Sequence, residues 1–176
     1  TNITGDDDHI GYDVDPKTRM AVGRYGNGSF FGKYEKDGDV EWGKHIPDEY
    51  FYHIECADKK NSYVAGAKMY TTHNGTQSYT VPTVANFQID DNDDDNKFIR
   101  KWTHRSRFAH SADINDIAVY KNAPIVTGTA QGVYMNNVTN VTNAIMSSGS
   151  SAFIIRYDDV GVPQWQTAYK LINTWD

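Results

Sequence analysis

The residues with the clearest potential for chemistry are the aspartates of the acidic run DDNDDDN. Asp91, Asp93 and Asp95 occupy alternate positions, as the first ligands of a calcium-binding loop do. An EF-hand loop that begins at Asp91 requires Gly at its sixth position and Glu at its twelfth, but the chain has Asn96 and Trp102 there. The ligand set is incomplete, so two interpretations stay open: a Ca²⁺ site and a solvated acidic loop.

Other residue types that perform catalysis show no catalytic spacing. The six histidines form no His-x-His or His-x-x-x-His pair, so only the fold could assemble a zinc site from them. The chain has no G-x-S-x-G motif, no phosphate-binding loop and no G-x-G-x-x-G motif. A glycosidase pair of carboxylates depends on a separation in space that a sequence does not give. We predict that the chain is not an enzyme and has no catalytic residues and no cofactor beyond the Ca²⁺ considered above.

The single cysteine, Cys56, excludes a disulfide within the chain. Its flanks, HIECADKK, match no nucleophile motif. Two roles stay open: a small buried apolar side chain, or a bridge to a part of the protein outside these 176 residues. The first residue is Thr rather than Met, so we expect a segment of a longer or processed chain.

Asn-x-Ser/Thr sequons indicate a protein that passes through a eukaryotic secretory pathway. Such sites carry glycans on surface loops when the protein is secreted. The alternative is a cytosolic or bacterial chain that is rich in Asn and Thr. The glycosylation candidates are Asn2, Asn27, Asn74, Asn137 and Asn140.

Charge and hydropathy argue against two kinds of partner, nucleic acids and the membrane interior. The formal net charge is −6 and the basic residues are scattered, so the chain lacks the basic patch of a nucleic-acid-binding protein. No stretch of 18 apolar residues occurs, so we expect no membrane insertion. Aromatic residues make up 13% of the chain, a composition that favours strands over helices.

Internal repeats reveal the architecture. FFGKYEKDGDVEW, which begins at Phe30, recurs 123 positions later as FIIRYDDVGVPQW, with Phe, Tyr, Gly and Trp matched without a gap. At a shift of 68, KFIRKWTHRSRFAH is a weaker copy in which Trp102 matches Tyr34. Each copy reads as a hairpin of two strands. A second hairpin motif of 13 residues also recurs three times, as GYDVDPKTRMAVG, IECADKKNSYVAG and DIAVYKNAPIVTG.

The two hairpins alternate three times and predict an all-β fold. We expect one repeat region over 1–176, built from three four-stranded antiparallel, blade-like units, at about 9–46, 50–112 and 114–170. Such units are typical of a β-propeller, and a compact β-sandwich is the alternative. Three blades are too few to close a propeller, so open blade edges should pair with other chains or copies of this one.

The pattern Phe-x-x-Lys-Tyr-x-x-x-Gly-x-x-x-Trp, followed by a hairpin ending in Val-Ala-Gly, resembles the SBBP-type repeats of β-propellers. It is also similar to the blade motif of quinoprotein-type propellers. The resemblance spans the three units and is degraded in the middle one. It implies a propeller fold and a secreted or cell-surface context, but no single activity. The recurring aromatics then read as packing residues between blades: Tyr34, Trp42, Trp102, Tyr157 and Trp165.

Blade geometry places the long connections. With strands A to D in each unit, the B–C and D–A connections share one edge, so we expect all five sequons there, with an insertion at about 70–96 that carries the acidic run. KWTHRSR should then form the C–D turn of unit two. We predict an extracellular, non-enzymatic glycoprotein module with a structural or adhesive role in a surface or filament assembly. The alternatives are a lectin-like propeller that binds glycans through the B–C edge, and a propeller enzyme.

Overall fold

A computed structural model describes residues 9–71, 78–90, 97–108, 111–131, 134–135 and 150–170. Every regular element in these ranges is a β-strand, so the predicted all-β class is confirmed. No helix in the described ranges is long and apolar enough to cross a membrane.

The strands form three antiparallel sheets of four, each in sequence order. Unit one contains β1 (His9–Asp15), β2 (Met20–Tyr25), β3 (Gly28–Tyr34) and β4 (Val40–Pro47). Unit two contains β5 (Glu49–Cys56), β6 (Asn61–Thr71), β7 (Ser78–Asp90) and β8 (Lys97–Arg105). Unit three contains β10 (Ser111–Tyr120), β11 (Ala123–Gln131), β13 (Ser150–Tyr157) and β14 (Pro163–Lys170). The short strands β9 (Arg107–Phe108) and β12 (Tyr134–Met135) pair with each other.

Two β-bulges occur at the same places in all three sheets and define which positions are equivalent. The first lies on strand A, opposite the glycines Gly23, Gly66 and Gly128 of strand B. A Cβ at any of these glycines would overlap a backbone carbonyl of strand A, which explains why Gly recurs there. The second bulge lies on strand D, immediately before the tryptophan of each sheet: Trp42, Trp102 and Trp165.

The second bulge corrects the alignment of the middle unit. Trp102 faces Asn86 across β7 and β8, as Trp42 faces Lys33, so Trp102 is equivalent to Trp42 and not to Tyr34. The predicted copy at a shift of 68 is therefore wrong, because KWTHR belongs to strand D and is not a C–D turn. The true strand C of unit two, β7, has few residues in common with the FFGKY pattern.

The acidic run also lies at a different edge from the predicted one. Strand β7 occupies 78–90, inside the predicted B–C insertion, so the run joins β7 to β8 as the C–D connection. The amide of Ile89 donates to the carbonyl of Lys60 in the A–B turn, which places this end of β7 at the A–B edge. The sequon edge is the opposite one, since Asp48 between the units donates its amide to the carbonyl of Asn27.

The core consists of two apolar layers, one between each pair of consecutive sheets. Met20, Val22 and Phe31 of unit one are at most 1% exposed, against Val64 and Phe87 of unit two. The second layer joins alternate residues of the same strands of unit two to unit three, including Tyr63, Ala65, Val84, Val126 and Tyr157. Unit two is thus buried on both faces, which is why β6 reads as a nearly continuous apolar run.

Strand β5 runs across the sheet of unit one. At its start, the Ser29 hydroxyl accepts from the amide of Phe51 at 2.7 Å and donates to the carbonyl of Glu49 at 2.9 Å. At its end, the carboxylates of Asp13 and Asp15 on β1 accept from amides of β5 at 2.9 and 3.0 Å. These bonds satisfy backbone donors at the open edge of sheet two and fix how the units pack.

Candidate functional site

Asn27 is the one sequon that the described ranges include. It is exposed in the tight turn between β2 and β3, and its side-chain amide lies 3.5 Å from the Asp48 carboxylate. An exposed turn at the edge of a sheet has room for a glycan. Asn2, Asn74, Asn137 and Asn140 lie outside the described residues.

The metal candidates Asp91, Asp93 and Asp95 also lie outside the described residues. Within the described part, no group of three or more His, Cys, Asp or Glu side chains is placed to hold a metal ion. The turn carboxylates there bind backbone amides instead. Asp58, for example, accepts from the amides of Lys60 and Asn61 at 2.7 and 2.8 Å and from the Asn61 side chain at 2.9 Å. Burial would raise the pKa of Asp58, but the side-chain bond from Asn61 and the two amide bonds outweigh it and lower the pKa.

The predicted packing aromatics divide by their position in the chain. Trp42 of unit one lies 5.7 Å, ring to ring, from Phe98 of unit two. Trp102 of unit two stacks 6.2 Å from Tyr157 of unit three, which is fully buried. Tyr34 is half-buried and covers Gly32, and Trp165 is 42% exposed. Trp42 and Trp102 therefore contact the following unit, whereas the described chain has no unit after Trp165.

Unit one has an outer face, turned away from unit two, which we call the head face: Val14, Ala21, Phe30, Gly32 and Tyr34. The register places these side chains opposite to the buried Val22 and Phe31. Val14 is 55% exposed, whereas its equivalents after the strand A bulge, Ile54 and Ile117, are 3% and 6% exposed. The head face is thus an apolar surface of a kind that units two and three bury.

Unit three has an outer face of its own, the tail face: Tyr120, Ile125, Ile154, Arg156 and Trp165. Tyr120 is 54% exposed, and Ile125 and Ile154 are half-buried. The equivalents of Ile154 in units one and two, Phe31 and Val84, are at most 1% exposed. The Arg156 guanidinium lies 5.7 Å from the Tyr120 ring centroid, so it covers part of the face.

Buried acidic groups in the described part have structural partners. Glu49, 3% exposed, forms ion pairs of 2.7 Å with Arg100 and Arg105 and one of 3.8 Å with Lys68. Burial alone would raise the pKa of Glu49, but hydrogen bonds from the two arginines outweigh it and hold the pKa below its ordinary value. In Asp15, burial is likewise outweighed by hydrogen bonds from Thr18 and Cys56, which lower its pKa.

Cys56 is buried, and its thiol contacts the hydroxyls of Thr18 at 3.1 Å and Ser62 at 3.3 Å. Burial raises its pKa to about 11, so the thiolate nucleophile is disfavoured at neutral pH. A buried side chain of this kind cannot reach a second chain without local opening. Between its two predicted roles, the structure therefore favours that of a small buried side chain.

A polar cleft of about 520 Å³ lies between units two and three at the A–B edge. Its walls carry Gln88, Lys101, Asn122 and Asp159, and the Trp102 ring forms one side. The indole N–H donates to the carbonyl of Asp159 at 2.7 Å, which holds that turn against the ring. The cleft was not expected from the sequence, because its residues come from two units and from five strands or turns.

Comparison with known proteins adds no relative. No protein-family model matches the chain, and no curated protein matches it.

Proposed function

We propose that this chain is an extracellular, non-enzymatic glycoprotein module whose three sheets act as blades of a β-propeller, and that it has a structural or adhesive role in a surface assembly. The observation that carries the proposal is the pair of outer faces. Val14 is 55% exposed on the head face, whereas its equivalents in units two and three are buried. Trp165 is 42% exposed on the tail face, whereas its equivalents in units one and two are half-buried. Exposed apolar surface of this kind typically marks a protein interaction site.

Two further features support this proposal. Three of the described carboxylates have a lowered pKa: Asp15, Glu49 and Asp58. Each accepts hydrogen bonds from backbone or side-chain groups of the fold itself. Such groups stabilise the sheets and their junctions, which suits a rigid module. Asn27 lies in an exposed turn at one edge of unit one, away from both outer faces, so a glycan there would leave those faces accessible.

Secretion and glycosylation test the proposal directly. The chain should be expressed in a eukaryotic host behind a cleavable signal peptide, and its mass measured before and after enzymatic removal of N-linked glycans. We expect a glycosylated, secreted protein, and we expect Asn27→Gln to lose one glycan. Ser29→Ala would be a poor control, because the Ser29 hydroxyl also bonds to β5, so Asn27→Gln is compared with Asn115→Gln, a change at an exposed Asn outside any sequon. A secreted protein that carries no glycan would contradict the proposal.

A lectin-like function is the second candidate, and the polar cleft favours it. Amide, ammonium and carboxylate groups beside an aromatic ring can bind sugar hydroxyls. The cleft lies at the A–B edge, opposite to the B–C edge where the sequence places long loops. Binding to a glycan array that Gln88→Ala and Lys101→Ala abolish would support this candidate. Unchanged binding by both variants would place any lectin site elsewhere.

A further inference from the structure

We infer that the tail face of one copy of this chain binds the head face of a second copy, so that the contact between copies repeats the contact between consecutive units. The inference rests on the proposed role in an assembly and names the partner. Within the chain, the same contact forms twice, from unit one to unit two and from unit two to unit three. In both cases strands B to D of the earlier unit supply most of the apolar side chains on one side of the contact, and strands A to C of the later unit supply most of those on the other.

The tail face has the kind of residues that the earlier unit presents in each internal contact. Trp165 follows the same bulge as Trp42 and Trp102, which contact the next unit. Ile125 occupies the position of Met20 and Tyr63, both at most 3% exposed. Unit three thus has apolar residues at the positions that a following unit covers in units one and two.

The head face has the kind of residues that the later unit presents in each internal contact. Tyr34 is equivalent to Phe87 and Tyr157, which are 2% and 0% exposed against the preceding unit. Phe30 lies over Gly23 as Phe153 lies over Gly128. The geometry of the Trp102–Tyr157 stack, with ring centroids 6.2 Å apart, therefore predicts that Trp165 of one copy packs on Tyr34 of the other.

The partner of each outer face and the symmetry of the contact follow from the difference between the two faces. The head and tail faces differ, so each fits the other rather than itself, and the contact is head to tail. Two copies supply six sheets, which lies within the range of about four to eight blades that closes a propeller. Two head-to-tail contacts related by a two-fold axis would then bury both outer faces of both copies. A ring of two chains also removes the open sheet faces that favour aggregation.

The test is sedimentation equilibrium of the chain and of two single-face variants. We expect the chain to have twice its 19.9 kDa mass. Val14→Asp removes the head contact and Trp165→Glu removes the tail contact, so each variant alone should be monomeric. Loss of a central interface residue should raise the dissociation constant by at least about 30-fold. Val160→Asp, at an apolar turn residue that is 64% exposed and on neither face, is the matched control.

Mixing the two variants distinguishes the head-to-tail contact from a symmetric one. Val14→Asp keeps an intact tail and Trp165→Glu keeps an intact head, so an equimolar mixture should regain a species of two chains. A contact of tail to tail or head to head would leave one variant dimeric by itself, and that result would overturn the inference. Circular dichroism establishes that each variant is folded, which is expected because both side chains are exposed.

Thiol cross-linking provides a second measurement that captures a weak contact. Tyr34→Cys and Trp165→Cys in separate copies should be joined by a short bismaleimide if the two positions face each other, because stacked rings leave their Cβ atoms too far apart for a direct disulfide. The buried Cys56 serves as the internal unreactive thiol. A chain that stays monomeric at about 100 μM and forms no link overturns the inference, since that concentration exceeds the dissociation constants of specific complexes. Glycosylation and secretion would be unaffected by that outcome, so the proposed function would then have to use another partner.

Discussion

The two internal interfaces have the same geometry but different chemistry. Between units one and two, Phe31 lies 4.6 Å from Phe98 and 5.6 Å from Phe87, in a layer of aromatic and aliphatic side chains. Within the described ranges the rings of this layer bond to no turn, and polar bonds of this interface come from Ser29 and strand β1. Between units two and three, the aromatic rings bond to turns: the Tyr63 hydroxyl donates to the carbonyl of Asn122 at 2.6 Å. The three units thus share equivalent positions and bulges, but the side chains that fill the two layers between them differ.

The difference has a consequence for stability. An apolar layer depends on buried area and close packing, so it should respond to loss of volume. A layer with hydrogen bonds to turns should respond to loss of single polar atoms and to pH.

Phe87→Ala should destabilise the protein most. Phe87 is 2% exposed and stacks on Phe98 at 4.4 Å, so its removal leaves a cavity between units one and two. We expect a loss of about 3–5 kcal/mol in the free energy of unfolding, measured by urea denaturation. Phe30→Ala on the head face is the control and should cost about 1 kcal/mol. Equal losses would show that the head face is as tightly packed as the interior.

Glu49→Gln should give the next largest effect, through ion pairs that lie within unit two. The change keeps the shape but removes the charge that pairs with Arg100 and Arg105. The arginine side chains are 33% and 35% exposed, so water can solvate their unpaired charges in part. We therefore expect a loss of about 1–3 kcal/mol in the free energy of unfolding. Glu41→Gln, which breaks the more exposed pair with Lys33, should change it by less than about 1 kcal/mol.

Tyr63→Phe isolates a polar contact of the second interface. The ring stays, but the hydrogen bond to the carbonyl of Asn122 is lost. We expect a loss of about 0.5–1.5 kcal/mol in the free energy of unfolding. Tyr34→Phe on the head face serves as the control, with no expected loss in the monomer. No effect of Tyr63→Phe would mean that this hydrogen bond does not stabilise the second interface.

Acid should weaken the second interface before the first. Burial lowers the pKa of His104, whose ring lies 5.1 Å from Tyr157, so the fold favours the neutral form. The unfolded chain binds the proton near pH 6.5, and the free energy of unfolding should fall below that pH, by up to about 1.4 kcal/mol per pH unit. The pKa of Asp15 is lowered from 3.8, so its contribution is lost only at more acidic pH.

Thermal unfolding between pH 7.5 and 5.0 measures this effect. His104→Gln should flatten the profile in that range, because the titrating group is then absent. Asp15→Asn should leave the shape of the profile above pH 5 unchanged while lowering the whole curve. A wild-type profile that is flat to pH 5 would show that His104 is hydrated in solution.

The sequence predicted the fold class and most of the strand pairing. Phe30 to Trp42 and its copy 123 residues later do form strands C and D of two sheets, and the glycines Gly23, Gly66 and Gly128 do end equivalent stretches of strand B. Alignment failed in unit two because the stretch between equivalent C–D pairs is longer there. Tyr34 and Val40 of unit one enclose five residues, whereas the equivalent Phe87 and Arg100 of unit two enclose twelve, since β7 and β8 extend further. A gapless comparison cannot follow such a change.

The candidate surfaces could be predicted only in part. The sequence named Trp165 and Tyr34 as packing residues, but it could not show that Trp165 is exposed and Tyr34 half-buried, in contrast to the buried Phe87 and Tyr157. Exposure depends on whether another unit covers the face, and that follows from the order in which the sheets stack. The polar cleft and the ion pairs of Glu49 have no sequence signal, since their members are up to 100 positions apart.

The sequence by itself determined the local structure: hairpins with alternating apolar residues, turns at Asp and Gly, and glycines where strand A approaches strand B. These depend on φ, ψ and the two-residue period of a strand, which neighbouring residues set. The tertiary structure decided which face of each sheet is buried, which edge bears the acidic run and which apolar residues stay exposed. Those properties depend on contacts between sheets, and identical repeats acquire different surroundings at the middle and at the ends of a stack.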